Sequence, residues 1–326
     1  MSRYILRRFI FFGLTLILTS VLIFILTRIL PGDVCSIKLG GTEATPETIA
    51  ACERDLGLDQ PLPIQYINWA TNFAQGDWGN SFVGNESPIR PELMQRLENS
   101  GRLALLTLII SVPLAILLGI VAGLNEGNFI DATISIATLS FVSLPEFVTS
   151  IFLINTIALN WSQGWDWLPF ELRASARQFD PNSSFVDSLP YIILPALSAT
   201  FVLVGYITRL TRAGVIEELK QDYVRTAELK GMPYWQVISK HVLRNALLPT
   251  ITIIAISIGW LMSGLVVVEQ VFQYQGVGLY LLNGISRRDL PRIQAVIMVT
   301  VFIFLMVNFL ADLLYAYLNP RIRLDQ

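Results

Sequence analysis

Charge and reactive side chains are what this chain has least of. Only 15% of its 326 residues are charged, it has one histidine, His241, and it has two cysteines, Cys35 and Cys52. That inventory offers no Ser/His/Asp constellation and no cluster of metal ligands, and His241 stands far along the chain from either cysteine. It is read as a surface or interface residue. The phosphate-cradling pattern Gly-x-x-x-x-Gly-Lys-Ser/Thr is absent, so the sequence carries no sign of its own nucleotide chemistry. With 23 basic and 25 acidic residues, nothing points to nucleic acid. A soluble chain of this length carries more charge.

What the sequence has instead is apolar residues, 53% of the total, gathered into long runs. Six stand out: Phe9–Leu30, Leu103–Leu124, Ala132–Leu159, Tyr191–Leu210, Ile251–Val268 and Ala295–Leu318. Each is about as long as the roughly 20 residues a helix needs to cross the hydrocarbon core, and as a helix each satisfies its own backbone hydrogen bonds in lipid. The fold class is an all-α integral membrane protein with about six transmembrane helices. Arg3, Arg7 and Arg8 before the first run resemble the start of a signal peptide, but the run is too long and no Ala-x-Ala site follows it. Pro31-Gly32-Asp33 reads as a turn closing a retained anchor helix.

Lys and Arg mark cytoplasmic loops. The N-terminus has three arginines and no acid. The stretch between the fourth and fifth runs carries Arg209, Arg212, Lys220, Arg225, Lys230, Lys240 and Arg244, and the C-terminus carries Arg321 and Arg323. The segment from Asp33 to Glu98 is mostly acidic, with Lys38, Arg54, Arg90 and Arg96 as its bases. Both termini therefore read as cytoplasmic, in a multi-pass protein of the cell (inner or plasma) membrane. Two short stretches count the other way: Asn125–Ile130 has no base and Ser286–Arg292 has three. The organisation is residues 1–31 as cytoplasmic tip and first span, 32–102 as an outer region, and 103–326 as the core, with a cytoplasmic loop over 212–249. Cys35 and Cys52 share the outer region, where an oxidising compartment permits a disulfide; two unpaired thiols are the other reading. Trp161, Trp165, Trp167 and Phe170 read as an interfacial belt.

Two spans carry small residues every four positions, Ala115/Gly119/Gly123 and Ala255/Gly259/Ser263, a spacing that lets helix backbones approach closely. Pro113 and Pro145 fall inside runs and are expected to kink or break them. Glu146 follows Pro145 in an otherwise uncharged run. A carboxylate at that depth costs roughly 2.5 kcal/mol or more, so such residues face a bundle interior or a wet cavity. Pro145 and Glu146 are candidates for a translocation pathway, with a buried ion pair or hydrogen bond as the competing role.

The loop is too polar to span and too apolar to be a linker. Val215, Ile216, Leu219, Tyr223, Ala227, Trp235, Ile238, Val242, Leu243 and Ala246 recur near helical spacing, interrupted by Gly231 and Pro233. Gly suits a helix C′ position and Pro a first turn, giving a short helix, a turn and a second short helix. Asp222-Tyr223-Val224-Arg225-Thr226-Ala227-Glu228-Leu229-Lys230-Gly231 followed by His241 through Pro249 closely resembles the signature loop of ATP-binding-cassette importer permeases, most nearly the dipeptide, oligopeptide and nickel branch. Arg225-Thr226-Ala227 stands where the general pattern has Glu-Ala-Ala. Leu30-Pro31-Gly32-Asp33, Gly76 to Ser81, Ser143 to Phe147, Val267 to Phe272 with Gly276-Val277-Gly278, and Asn308 to Tyr315 through Asn319 to Arg323 extend the resemblance over almost the whole chain.

The resemblance implies an N-terminal anchor helix plus a five-helix type I (MetI-like) core, with no catalytic role and no cofactor. It also implies a second homologous permease subunit, two ATP-binding-cassette ATPase subunits and an extracytoplasmic substrate-binding protein. Arg225, Thr226, Ala227, Gly231 and Pro249 fall on the loop that couples to the ATPases. The solutes of similar permeases are dipeptides, oligopeptides, glutathione, opines and nickel chelates. A secondary transporter is the alternative; it would show internal repeats and paired intramembrane acids, whereas here Glu146, Glu269 and Asp312 are scattered and no repeat is evident. The orientation is testable by thiol labelling in sealed cells. Cys52, once reduced, is expected to react with a membrane-impermeant reagent, and a Gln221→Cys variant only after the membrane is opened; labelling of Gln221→Cys in intact cells overturns the orientation.

Overall fold

The structure is a computed structural model that describes residues 2–29, 34–38, 45–83, 86–161, 172–262 and 265–318. Within them every regular element is a helix, apart from an isolated antiparallel bridge between Asn80 and Pro88. The Pro31-Gly32-Asp33 turn, the side chains of the aromatic belt, Ser263, and the tail with Arg321 and Arg323 lie outside the described residues. The chain opens with α1 (Ser2–Ile29), followed by the short helices α2 (Val34–Lys38), α3 (Pro46–Asp55) and α4 (Leu62–Ala74). Next come α5 (Ile89–Leu124), α6 (Phe129–Ser143) and α7 (Glu146–Leu153), which continues as a π-helical segment, Ile154–Trp161. After α8 (Phe185–Leu219) and α9 (Asp222–Leu229), α10 (Tyr234–Gln236) runs through a second π-helical segment, Val237–Val242, into α11 (Leu243–Ala246). The chain ends with α12 (Leu248–Met262), α13 (Val266–Phe272), α14 (Val277–Ser286) and α15 (Leu290–Leu318).

Among the described residues, four stretches are long and apolar enough to cross a bilayer: Ile5–Ile29, Ile89–Leu124, Phe185–Leu219 and Leu290–Leu313. Two further pairs meet the same measure only when joined across a bend, of 99° between Phe129–Ser143 and Glu146–Leu159, and of 47° between Tyr234–Ala246 and Leu248–Met262. The third apolar run is therefore not one helix. Leu144, before a proline, is extended (φ −82°, ψ 127°), and Pro145 becomes the N-cap of α7. The pyrrolidine ring has no N–H to give the ladder and excludes its predecessor from helical geometry, so the chain turns there. Pro113 has a different outcome: it sits inside α5, which continues to Leu124, just as Pro190 and Pro195 sit inside α8. The second and fourth runs extend past their expected limits, α5 beginning at Ile89 and α8 reaching Leu219. The fifth stops at Met262, and Val266 to Val268 open the separate α13.

Helices α5 and α8 pack along one another. Ala115, Gly119 and Gly123 lie buried on α5, and Thr208 Oγ1 on α8 donates to the Ala115 carbonyl at 3.2 Å. A Cβ on Gly119 would stand 2.5 Å from Thr211 Cβ and 2.9 Å from the Thr208 carbonyl oxygen, and one on Gly123 would stand 2.7 Å from Val215 Cβ. The small-residue stripe is thus the surface on which α8 lies. Gly259 plays the same part on α12, against the Phe304 ring.

Helix α1 lies at the edge. It meets α15 through Phe9 and Phe12 against Phe309, and through an Arg8–Asp312 ion pair of 2.9 Å. It meets α4 through Ser20 and Tyr66, whose hydroxyls are 2.8 Å apart. Cys35 and Cys52 form a disulfide joining α2 to α3, with Cα atoms 5.8 Å apart. At the opposite end of the molecule, the turn between α5 and α6 is fixed by Asp131, which accepts from Arg212 Nε at 2.5 Å and Nη2 at 2.7 Å and from the Gly127 N–H at 3.0 Å. This base from α8, with Lys220 on Glu126 at 3.2 Å, serves the turn that has none of its own.

Gly119→Val is expected to lower the thermal midpoint of the detergent-solubilised protein, since overpacking a close contact costs about 1–3 kcal/mol. Gly101→Ala, inside the same helix at a position with no neighbour within 4 Å of the added Cβ, is expected to hold or slightly raise the midpoint, since it removes a helical glycine. Equal midpoints for the two variants would refute the contact.

Candidate functional site

The basic stretch over 212–249 begins as helix, because Arg212 to Leu219 still belong to α8. Arg225, Thr226 and Ala227 lie on α9; Ala227 is buried beside Val224, whereas Arg225 and Thr226 are exposed. The end of α9 explains the glycine. Gly231 has φ 73°, in the left-handed region where a Cβ is penalised. Its N–H donates to the Glu228 carbonyl at 2.9 Å, and the Met232 N–H donates to the Ala227 carbonyl at 3.3 Å. That pair of bonds is the Schellman arrangement, with its apolar contact supplied by Met232 against the cluster holding Ala227. Pro233 is the N-cap of α10, one place before the first turn expected of it.

Beneath this turn Val215, Val224, Ala227, Val237, Ile238, Val242 and Ala246 form a buried cluster, onto which Ile120 and Leu124 of α5 pack. Gly214 closes the joint: a Cβ there would lie 2.4 Å from the Ala246 carbonyl oxygen. Trp235 and Tyr223, expected in this stripe, are instead exposed, while Val224 and Val237 take inward places. Within the second helix, simple 3.6-residue spacing does not carry through Val237–Val242, because the π-helical segment adds a residue to the turn. The Tyr223 hydroxyl donates to the Glu218 carboxylate and accepts from Asn245 Nδ2 at 3.0 Å. The outward tip is apolar: Leu229, Tyr234 and Trp235 are 81%, 54% and 72% exposed. His241 is half-buried on the second helix, and Pro249 is exposed in the first turn of α12.

Glu146 is the first residue of α7, at the 99° bend and half-buried. Its carbonyl oxygen accepts from Thr149 Oγ1 at 2.9 Å and Ser150 Oγ at 2.7 Å. Ser198 Oγ of α8 stands 2.7 Å from Ser150 Oγ and 3.1 Å from Thr149 Oγ1. These three buried hydroxyls tie the restart of α7 to α8. Among the described residues, no ion pair or hydrogen bond reaches the Glu146 carboxylate. Pro145, beside it, is exposed.

Glu269, Asp289 and Asp312 are tied into the fold. Glu269 is fully buried on α13 and accepts from Ser100 Oγ of α5 at 2.7 Å and from the Leu279 N–H at 2.9 Å. It caps the start of α14, whose Val277 N–H donates to the same Ser100 Oγ at 2.9 Å. A Cβ on Gly276 would lie 2.1 Å from Glu269 Oε1, so only glycine lets the carboxylate approach. Sequence reasoning took the Glu269 and Gly276-Val277-Gly278 stretch as a family mark without finding this cap, although a lone acid seven residues before a glycine was the available signal. Asp289, also fully buried, accepts from Ser81 Oγ at 2.5 Å and the Phe82 N–H at 3.1 Å and pairs with Arg292 at 3.1 Å. Asp312 pairs with Arg8.

Two family models match the chain. Residues 115–324 match the binding-protein-dependent transport system inner membrane component, and residues 1–97 match the N-terminal part of such membrane components. A probable peptide ABC transporter permease of Sinorhizobium fredii is 34% identical over 99% of this chain and 100% of its own length. The di/tripeptide transport system permease DppB of Pseudomonas aeruginosa is 33% identical over 96% of this chain and 95% of its own. A glutathione transport system permease, GsiC of Shigella flexneri, is 33% identical over 99% of both chains. The buried loop cluster, the glycine-closed turn and two models that together span most of the chain lead to one conclusion: this chain belongs to the family of binding-protein-dependent transport system inner membrane components, permease subunits that leave ATP hydrolysis to other chains.

Proposed function

We propose that this chain forms, with a second homologous permease, a transmembrane pathway for di- or oligopeptides or a related small solute. An extracytoplasmic binding protein delivers the solute, and two ATP-binding-cassette ATPase subunits drive its passage. The substrate class is supported by relatives whose names specify peptide, di/tripeptide and glutathione transport. In this reading the chain has six spans, an anchor helix followed by a five-helix type I core, with both termini cytoplasmic. Residues 1–31 are the anchor, 32–102 the outer region and 103–326 the core.

The observation that carries the coupling role is the tip over α9 and α10: apolar Leu229, Tyr234 and Trp235 exposed outside a buried cluster that includes α5 residues. An apolar tip on a firm base needs a partner surface. Arg225 and Thr226 present the polar flank, Ala227 and Gly231 set the turn, and Pro249 starts the next span. Gly231→Val places a β-branched residue at positive φ, a strain of roughly 1–2 kcal/mol. It is expected to reduce ATPase co-purification or transport-coupled hydrolysis while the membrane helices still fold. Normal transport at normal expression would show that this turn does not transmit.

Pro145 and Glu146 are assigned to the pathway. Their support is the bend that opens the backbone there, the hydroxyls beside it, and a carboxylate with no partner inside the chain among the described residues. The carboxylate attracts the ammonium of a zwitterionic or cationic solute. Glu146→Gln keeps the shape and removes the charge, and is expected to lower uptake of such solutes in a complex that still co-purifies with its partners. Unchanged uptake, or a complex that dissociates, would reject the pathway role.

A further inference from the structure

A cavity of about 630 Å³ lies outside the helical core, between the ends of α1 and α15 and the segment that holds α3 and α4. Its wall mixes Arg28, Lys38 and Arg54 with Asp55, Asp77 and Glu86. Most of these charges are already engaged. Lys38 pairs with Glu86 at 3.2 Å, Asp77 accepts from the Gly79 N–H at 3.0 Å, and Arg54 Nε donates to the Ala50 carbonyl at 3.1 Å.

Two groups on the wall are not engaged. Arg28 Nε is buried without a hydrogen-bond partner, and among the described residues no carboxylate pairs with its guanidinium, which rests over the Phe24 ring at 5.2 Å. Gln65 Nε2 donates to the Leu58 and Gln60 carbonyls at 3.0 and 2.7 Å, but Gln65 Oε1 is buried with no donor. The lining therefore offers an unmet donor bearing positive charge and an unmet acceptor, with the Asp55 carboxylate on the same cavity. Buried polar groups are rarely left so, and the complement is a ligand with an anionic and a cationic end.

The level of the cavity identifies the source. Arg28 stands next to the end of the apolar stretch Ile5–Ile29, and Leu290, Pro291 and Gln294, on the same cavity, open α15. Both mark the depth where hydrocarbon gives way to headgroups. Just below, Leu22, Ile25, Leu26 and Ile29 of peripheral α1 are exposed, a surface suited to acyl chains. We propose that this cavity holds the headgroup of a zwitterionic phospholipid of the phosphatidylethanolamine type. The phosphate sits on Arg28, the ammonium on Gln65 Oε1 and Asp55, and the acyl chains lie along α1. Only the choice of leaflet depends on the orientation proposed above; the site itself does not.

Native mass spectrometry of the full complex, stripped of lipid and supplied with defined probes, tests this. Phosphatidylethanolamine is expected to be retained in preference to phosphatidylglycerol and to diacylglycerol. Arg28→Gln is expected to weaken its retention by about tenfold, the loss of one charge-assisted bond, and Arg28→Lys to restore part of it. Should Arg28→Gln fail to assemble, Asp55→Asn at an exposed position decides, with the preference over phosphatidylglycerol expected to disappear. Retention that is equal for diacylglycerol, or unaffected by the variants, overturns the proposal. Displacement by water-soluble glycerophosphoethanolamine or a dipeptide at matching concentration overturns it too, because the site would then take a free solute.

Discussion

Inside a bilayer, burying one apolar side chain against another gains little over leaving it in lipid, so helices must be held by close backbone approach and by hydrogen bonds. In this chain that constraint falls on α8. Its Thr208, Thr211 and Val215 rest on the Gly119 and Gly123 surface of α5. Its Gly205 admits Val142 and the Thr138 carbonyl of α6, and its Gly214 admits the Ala246 carbonyl at the end of the loop. Ser198 reaches the first turn of α7, and Arg212 holds the α5–α6 turn through Asp131. The Pro145–Glu146 bend and the loop closed at Gly231 are therefore both positioned against one helix, and neither is positioned by apolar burial alone.

Much of this was legible in the sequence because lipid and turns impose strict local rules. The apolar runs had to be helices, and Gly231 had to close one, since no β-carbon sits easily at its φ of 73°. The stripe of Ala115, Gly119 and Gly123 announced a packing face before its partner was known. Where the reading failed, non-local geometry was responsible. Prolines 113 and 145 look alike in sequence, yet one is absorbed within α5 and the other separates α6 from α7. Trp235 is exposed against the expected periodicity, just before a π-helical segment, Val237–Val242, in which 3.6-residue spacing does not hold. The extension of α5 back to Ile89 was hidden because its first turns are polar and lie beyond the apolar run.

The acids divide in a way that composition could not show. Glu269 and Asp289 are enclosed by donors from segments more than a hundred residues away, Ser100 for one and Ser81 for the other. Burying a carboxylate is tolerable when its oxygens are saturated in this manner. These two residues knit the end of α13 and the start of α15 to the earlier half of the chain. Glu146 differs in that, among the described residues, its backbone oxygen is engaged and its carboxylate is not, and this contrast, more than its depth, separates it from the structural acids.

The uninterrupted length of α5 has a mechanical consequence. At 36 residues it is a rod of roughly 54 Å. Ser100, a third of the way along, grips the Glu269 cap of α14, while Ile120 and Leu124 at the far end press on the cluster under Gly231. Pivoting at its loop end, the roughly 36 Å of helix between Leu124 and Ser100 carries the cap contact about 0.6 Å for each degree of tilt. A hydrogen-bond cap has little tolerance for such displacement, so a few degrees at the loop are enough to set the α14 cap and the loop cluster in mechanical opposition across the membrane.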